Sequence, residues 1–219
     1  GVAGKAQPLI CMKRQIIGRA FFQRDPVTCA RELLGCELVW KNCGGIVVES
    51  EAYKALGDEA CHCFVRPSTR AFVRRNKAGA AYIYFNYGVH WMLNVLVKGD
   101  ENGFVLIRAL EPTRGIAVMR RRRGVHDLRQ LCSGPGKLTQ SLAITQEHDE
   151  MDLCANPRFS FRQRTTDQVR VLADQRVGIR RSADLPWRFT IAANAYVSRR
   201  TRENREQVAA SSLQVSASD

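Results

Sequence analysis

Residues 46–62 read IVVESEAYKALGDEACH and set Glu49, Glu51, Asp58 and Glu59 against a single Lys54. Glu51 follows the β-type run IVVES, and a carboxylate at the end of a rigid strand is well placed to act as a general base. Taken alone, such a residue reads as a solvated charge. Its surroundings alter that reading. The chain turns basic at once, with Arg66, Arg70, Arg74, Arg75 and Lys77 and no acid among them. An acid exposed beside a stretch that binds nucleic acid repels phosphate, so a carboxylate kept there needs a use. Tyr53 and His62 lie close by in sequence. Flat side chains around a carboxylate describe a pocket for a flat ring, such as a base swung out of a duplex.

A second aromatic group lies further on. Tyr82 and Tyr84 share one face of a β-type run, where aromatics ordinarily serve the core. Tyr87 differs, because Asn86-Tyr87-Gly88 reads as a hairpin tip with nothing to bury it. A projecting aromatic there is shaped to wedge into a base stack. The stretch CSGPGKL places Ser133 and Lys137 at a helix start, which reads either as a phosphate site or as a turn with an N-cap. Arg120 to Arg123 wrap around a helix, so their charges cannot all reach one partner.

The whole chain has 219 residues and a formal net charge of +13, from 34 Lys and Arg against 21 Asp and Glu. That excess favours a polyanionic partner, or serves solubility alone. No apolar run reaches the ~20 residues a membrane-spanning helix needs. The N-terminus has no apolar core of signal-peptide length. Eight cysteines are too few for a disulfide scaffold of this length and suit reduced thiols in an intracellular compartment. Cys61-His62-Cys63 has no further CxxC pair to complete a zinc set, and on an extended chain His62 points away from its neighbours.

The elements that must position these residues read as α+β. Residues 1–17 form a loose leader. RDPVTCARELLG predicts a helix capped by Asp25, with Pro26 in its first turn and Val27, Ala30, Leu33 and Leu34 on one face. CELVW and IVVES predict a hairpin about a glycine-containing turn. Residues 54–80 read as irregular. AYIYF, VHWMLNVLV and FVLIRAL form an antiparallel meander. EPTRGIAVMRRRRG and GKLTQSLAI read as helices, and QVRVL, RVGI, WRFTIAA and YVS as closing strands. From about residue 199 the chain reads as a disordered tail.

Together these residues resemble the alkyladenine (3-methyladenine) DNA glycosylase family, the type not built on a helix-hairpin-helix. The resemblance rests on VVESEAYKALGDEACH, AYIYFNYGVHWMLN, VLIRALEP, LCSGPGKL and RVGI…LPWRF…YVS, in that order, across residues 18–198. It implies a single compact α+β domain with a mostly antiparallel curved sheet, flanking helices and a protruding β-hairpin. It implies that Glu51 activates the water that attacks the sugar C1′ and that Arg108 organises the site. Tyr53 would stack on one face of the flipped base, with His62 and Tyr84 on the other. The backbone at Ala60 and His62 would bond the base edge, Asn94 would disfavour normal guanine, and Tyr87 would fill the gap in the duplex. Ser68 and Arg70, with Ser133 and Lys137, would contact DNA.

The implied activity is hydrolysis without strand cleavage on 3-methyladenine, 7-methylguanine, hypoxanthine and ethenoadenine. The implied partner is double-stranded DNA carrying damaged purines, met by an intracellular monomer. An alkylated base carries positive charge, which makes it a better leaving group and a stronger partner for tyrosine faces. Nothing in the scheme requires a metal or an organic cofactor. Two other classes remain open from the residues themselves. One is a nucleic-acid-binding module without catalysis, and the other a hydrolase of free N-glycosides, which would need no duplex and show little salt sensitivity.

Overall fold

β-Branched and aromatic residues alternate through the middle of the chain, and that period of two builds one sheet. The computed structural model describes residues 14–165 and 168–199. Its strands are β1 (Glu37–Trp40), β2 (Cys43–Lys54), β3 (Ala81–Asn86), β4 (His90–Lys98), β5 (Asn102–Arg114), β6 (Phe159–Arg162), β7 (Val171–Asp174) and β8 (Arg188–Ile191). Antiparallel pairing runs β3-β4-β5-β2-β1-β6. β5 lies along one edge of β2, while the other edge is shared. Residues 43–46 pair with β1, and residues 49–51 pair with β8, which carries β7. One long strand feeding two neighbours on the same edge makes the sheet divide and curl.

Five α-helices occur among the described residues: α1 (Pro26–Glu32), α2 (His62–Val65), α3 (Pro67–Arg75), α4 (Ile116–Arg123) and α5 (Pro135–Leu142). α1 starts where the sequence says it should. Asp25 accepts from the Thr28 N–H at 2.9 Å, and Pro26 fills the first position. The two faces of the sheet have separate duties. Ile83, Leu93, Val95, Val97, Val105 and Ile107 point into the main core, against Leu33 and Leu34 after α1 and Leu138 and Leu142 of α5. Their neighbours Tyr82, Leu96 and Phe104 point the other way, against Cys61, Cys63, Phe72 and Val73 around α2 and α3.

Three register shifts interrupt the β2–β5 pairing, one at Gly44–Gly45 and two beside the acids. Val47 pairs with Leu110 and Glu49 with Ala109, so Val48 is an extra residue on β2. Glu49 pairs with Ala109 and Ser50 with Ile107, so Arg108 is an extra residue on β5. Each bulge turns over the faces that follow. Val47 and Ala52, five residues apart, therefore both enter the main core. On β5 the same device lets Ile107 and Leu110 enter the core and frees Arg108 to face the other side.

Several expectations from the sequence need correction. Glu51 lies inside β2 and not just beyond it. Residues 54–80 contain α2 and α3, because Thr69, Phe72 and Val73 give a short buried stripe that the surrounding arginines conceal. Cys61-His62-Cys63 is accordingly a helix start and not an extended run. Residues 111–114 extend β5 before α4 begins. RVGI and YVS are not strands, and β6 in FSFR was not foreseen. Of the expected leader, Ile16 bridges to Arg162 and Ile17 is buried in the core. Residues 1–13 and the expected tail from residue 200 lie outside the described residues.

The first hairpin turns at Lys41-Asn42, and its glycines lie within β2 for a packing reason. A Cβ on Gly45 would overlap the carbonyl oxygen of Glu111 on the facing strand. Gly45→Ala is expected to cost about 1–3 kcal/mol, and each kcal/mol lowers the thermal midpoint by about 2–4 °C for a chain of this size. An unchanged midpoint in thermal denaturation would refute this close approach.

Candidate active site

The second face of the sheet floors a cavity of about 620 Å³. The period-2 rule selects its lining: Tyr82 and Tyr84 from β3, Met92 and Asn94 from β4, Phe104, Leu106 and Arg108 from β5, and Tyr53 from β2. Ala60, His62 and Arg66 close one side, and Val177 to Arg181 another. Tyr87 stands at the rim, 87% exposed at the tip of the β3–β4 hairpin, with a left-handed φ of 49°. Of the residues singled out from sequence, Tyr53, Ala60, His62, Tyr84, Tyr87, Asn94 and Arg108 thus line one cavity.

Glu51 is not on that wall. It is fully buried directly behind it. Its Oε2 accepts from the Tyr53 hydroxyl at 2.7 Å, and its Oε1 from the Val177 N–H at 2.7 Å. Arg108 Nη1 lies 3.3 Å from the same Oε1. Glu49, two residues earlier, is also fully buried. Its Oε1 accepts from Arg108 Nε at 2.9 Å, Arg188 Nε at 2.8 Å and the Ser198 hydroxyl at 2.8 Å, and its Oε2 from the Ser198 N–H at 2.5 Å. Burial opposes ionisation of Glu49, but the two guanidiniums outweigh it and hold its pKa below the ordinary carboxylate value. The Arg108 side chain therefore bridges both carboxylates, and its own pKa is raised because Glu51 and Glu49 overcome the desolvation.

The aromatic wall is polar at its edges. The ring centroids of His62 and Tyr84 are 4.3 Å apart. His62 Nδ1 lies 3.0 Å from the Tyr82 hydroxyl, which also meets Thr69 Oγ1 at 3.0 Å. Burial, with Arg66 nearby, pushes the His62 pKa down from 6.5 to about 4. Burial raises Tyr84 to about 12, and burial with Glu51 raises Tyr53 well above 10. At neutral pH the wall thus presents uncharged rings. Asn94 donates to the Tyr82 carbonyl at 3.3 Å across the β3–β4 pair.

From sequence, Glu49, Asp58 and Glu59 fall outside the chemistry and are expected to orient arginines or cap the turn. Glu49 and Asp58 do so, but with partners, Arg176, Arg188 and Ser198, that the sequence did not single out. Asp58 is fully buried and takes a two-pronged bond from Arg176, at 2.6 and 2.9 Å. Asp58 Oδ1 also accepts from the Ala60 N–H at 3.1 Å, which fixes the turn before His62. Arg188 and Ser198 complete the setting of Glu49. The signal available was the density of acids in residues 49–59, each of which needs a cation once buried.

The remaining expected residues stand apart from the cavity. Ser68 and Arg70 are exposed on α3, and Arg70 Nη1 donates to the carbonyls of Cys63 and Phe64 at 2.9 and 3.3 Å. Lys137 Nζ lies 2.9 Å from Gln130 Oε1 and 3.4 Å from Ser133 Oγ. Ser133 bridges to Ala109 beside Arg108, and Pro135 reaches the cavity wall. Among the described residues no group of three His, Cys, Asp or Glu side chains is arranged to hold a metal ion. No helix among them is long and apolar enough to cross a membrane.

A family model described as methylpurine-DNA glycosylase matches residues 20–195, the span that contains the whole cavity. The chain belongs to the methylpurine-DNA glycosylase family. A Nitrobacter winogradskyi protein named "Putative 3-methyladenine DNA glycosylase" is 43% identical over 182 residues, which cover 83% of this chain and 86% of that one. A Rhizobium etli protein of the same name is 45% identical over 183 residues, 83% of this chain and 88% of that one. As a methylpurine-DNA glycosylase, the chain is a hydrolase of N-glycosyl bonds that takes DNA as substrate in base-excision repair.

The neutral imidazole of His62 has a consequence for stability. Between pH 6.5 and about 4 the unfolded chain takes up a proton here that the folded site excludes, so stability is lost as pH falls through that window. Thermal midpoints of His62→Phe, followed from pH 7 to 4, are expected to fall less steeply than those of the wild type. Parallel curves would contradict a depressed pKa.

Proposed function

We propose that this glycosylase flips a damaged purine into the cavity and hydrolyses its bond to C1′ with Glu51 as general base. The observation that carries the reading is the fully buried Glu51 behind the aromatic wall, paired with Arg108, which lines the cavity. Both carboxylate oxygens of Glu51 are engaged, Oε1 by Val177 and Arg108 and Oε2 by Tyr53. One of these partners gives way to the attacking water when the base enters. The water oxygen bonds to C1′, its proton passes to Glu51, and the electrons of the C1′–N bond leave with the base. Positive charge that develops on the sugar is stabilised by the same carboxylate.

The other residues take roles around that step. Tyr53 supplies one flat face, with His62 and Tyr84 opposite. The Ala60 N–H is committed to Asp58, so the base edge is read by the Ala60 carbonyl and the His62 N–H. Asn94, in the floor, crowds the exocyclic amine of normal guanine. Tyr87 fills the space vacated in the duplex. Ser68, Arg70, Ser133 and Lys137 approach phosphates. The cavity's uncharged flat rings suit hypoxanthine, ethenoadenine, 3-methyladenine and 7-methylguanine, with selection added by the lability and weak pairing of the lesion. The chain acts as a monomer inside the cell, by base removal alone.

Base release from a duplex with one deoxyinosine, and separately from alkylated DNA, tests this directly. Wild type is expected to free the base, and Glu51→Gln to lose at least about 100-fold in rate, the usual contribution of a general base, while duplex binding persists. Binding without release by either protein on any lesion would leave a lesion-binding module. A second expectation concerns salt: duplex affinity should fall with a log–log slope of about −0.9 for each phosphate neutralised. Release from free nucleosides with a flat salt profile would point to a different N-glycoside hydrolase.

A further inference from the structure

Arg176 is a buried guanidinium that the mechanism above does not use. Its side chain is 0% exposed and it is absent from the cavity wall. It forks onto Asp58 and donates to the Ala52 carbonyl at 3.0 Å and the Ser182 carbonyl at 2.9 Å. Its Cζ lies over the Tyr53 ring, 4.6 Å from the centroid, and 5.3 Å from the Trp187 ring centroid. Tyr53 lines the cavity and Arg176 does not, so the guanidinium covers the ring face turned away from the cavity. We propose that Arg176 sets lesion preference by occupying the rear face of Tyr53, which weakens this platform for cationic bases relative to neutral ones. The inference rests on the reading of Tyr53 as the stacking platform.

The physical reason is that an aromatic ring has one quadrupole to share between its faces. A cation held against one face draws π density toward itself, and a second cation on the opposite face gains less and is repelled by the first. An N-alkylated purine such as 7-methylguanine carries that second charge. Hypoxanthine does not. Asp58 offsets part of the rear charge, but the guanidinium itself is the group in contact with the ring. Its charge is felt at Tyr53: burial and Glu51 push the phenol pKa up, and Arg176 acts against them. A charge that made the lesion a better leaving group would therefore add less to its binding on Tyr53 than on a tyrosine with a free rear face.

The test compares kcat/KM for duplexes carrying 7-methylguanine and hypoxanthine, taken as a ratio so that intrinsic lability cancels between proteins. The paired variant Asp58→Asn with Arg176→Met removes both buried charges together and keeps the aliphatic packing under the ring. Its ratio should shift toward 7-methylguanine by about two- to fivefold, the scale of one cation–π contact. Arg176→Lys retains a cation paired with Asp58, and its ratio should stay near that of the wild type even if both rates fall. If the paired variant fails to fold, Arg176→Gln, which removes the cation and keeps a donor for Asp58, takes its place: the same shift toward 7-methylguanine is expected, and an unchanged ratio overturns the proposal. An unchanged ratio in the folded paired variant, with both lesions slowed equally, means that Arg176 is structural only and overturns the proposal. A shifted ratio in Arg176→Lys overturns it as well. Absence of release from both duplexes by the wild type would instead sink the glycosylase reading of the cavity, and this inference with it.

Discussion

Glu49 and Glu51 are two acids on one strand, both without solvent, and the rest of the site follows from giving each buried carboxyl its partners. Like charges this close inside a protein are tolerated only when cations and donors surround them. Arg108 reaches both, and Arg188 and Ser198 complete the shell of Glu49. Losing one partner from such a set typically costs about 3–5 kcal/mol, because the remaining charge is stranded. The paired bulges serve this requirement. The extra residue at Arg108 brings its side chain to the carboxylates while the strand still feeds Ile107 and Leu110 to the core. Segment 188–199 closes over the same cluster, so a late part of the chain is tied to the second strand.

The same principle operates a short distance away at Asp58. Its fork with Arg176 ties the turn before His62 to the segment that follows residue 175. Val177, the next residue, donates its N–H to Glu51. One pair of residues thus sets the turn beside His62, the backbone at Ala60 and one partner of Glu51. The loops that line the cavity are fastened by buried charge and not by packing alone.

This arrangement changes the meaning of the net charge of +13. Arg108, Arg176 and Arg188 are buried and answer acids within the fold. Arg122 donates to the Ser141 carbonyl, and Arg123 bonds Gln140, so part of the four-arginine run fastens α4 to α5. Arg19 pairs with Asp152, and Arg75 with Glu150. The ion pairs among these are neutral, so the excess of +13 is carried by the other basic residues, among them Arg66 and Arg180, exposed around the cavity mouth.

The sequence by itself determined the β3–β4–β5 meander, the cap of α1 and the face that Tyr82 and Tyr84 share, because these depend on period, turn residues and nearest neighbours. It also marked Glu51, Tyr53, His62 and Arg108 through ordered motifs. It did not reveal α3, whose short apolar stripe is outweighed by arginines, nor β6, which is stabilised by pairing with β1 across more than a hundred residues. Only the tertiary structure decided that Glu51 lies behind the wall and not on it, and that Asp58 belongs to Arg176. Local sequence carries no information on which distant cation meets a buried acid. That choice is made by the curl of the sheet and by two bulges, which show only when the strands are paired.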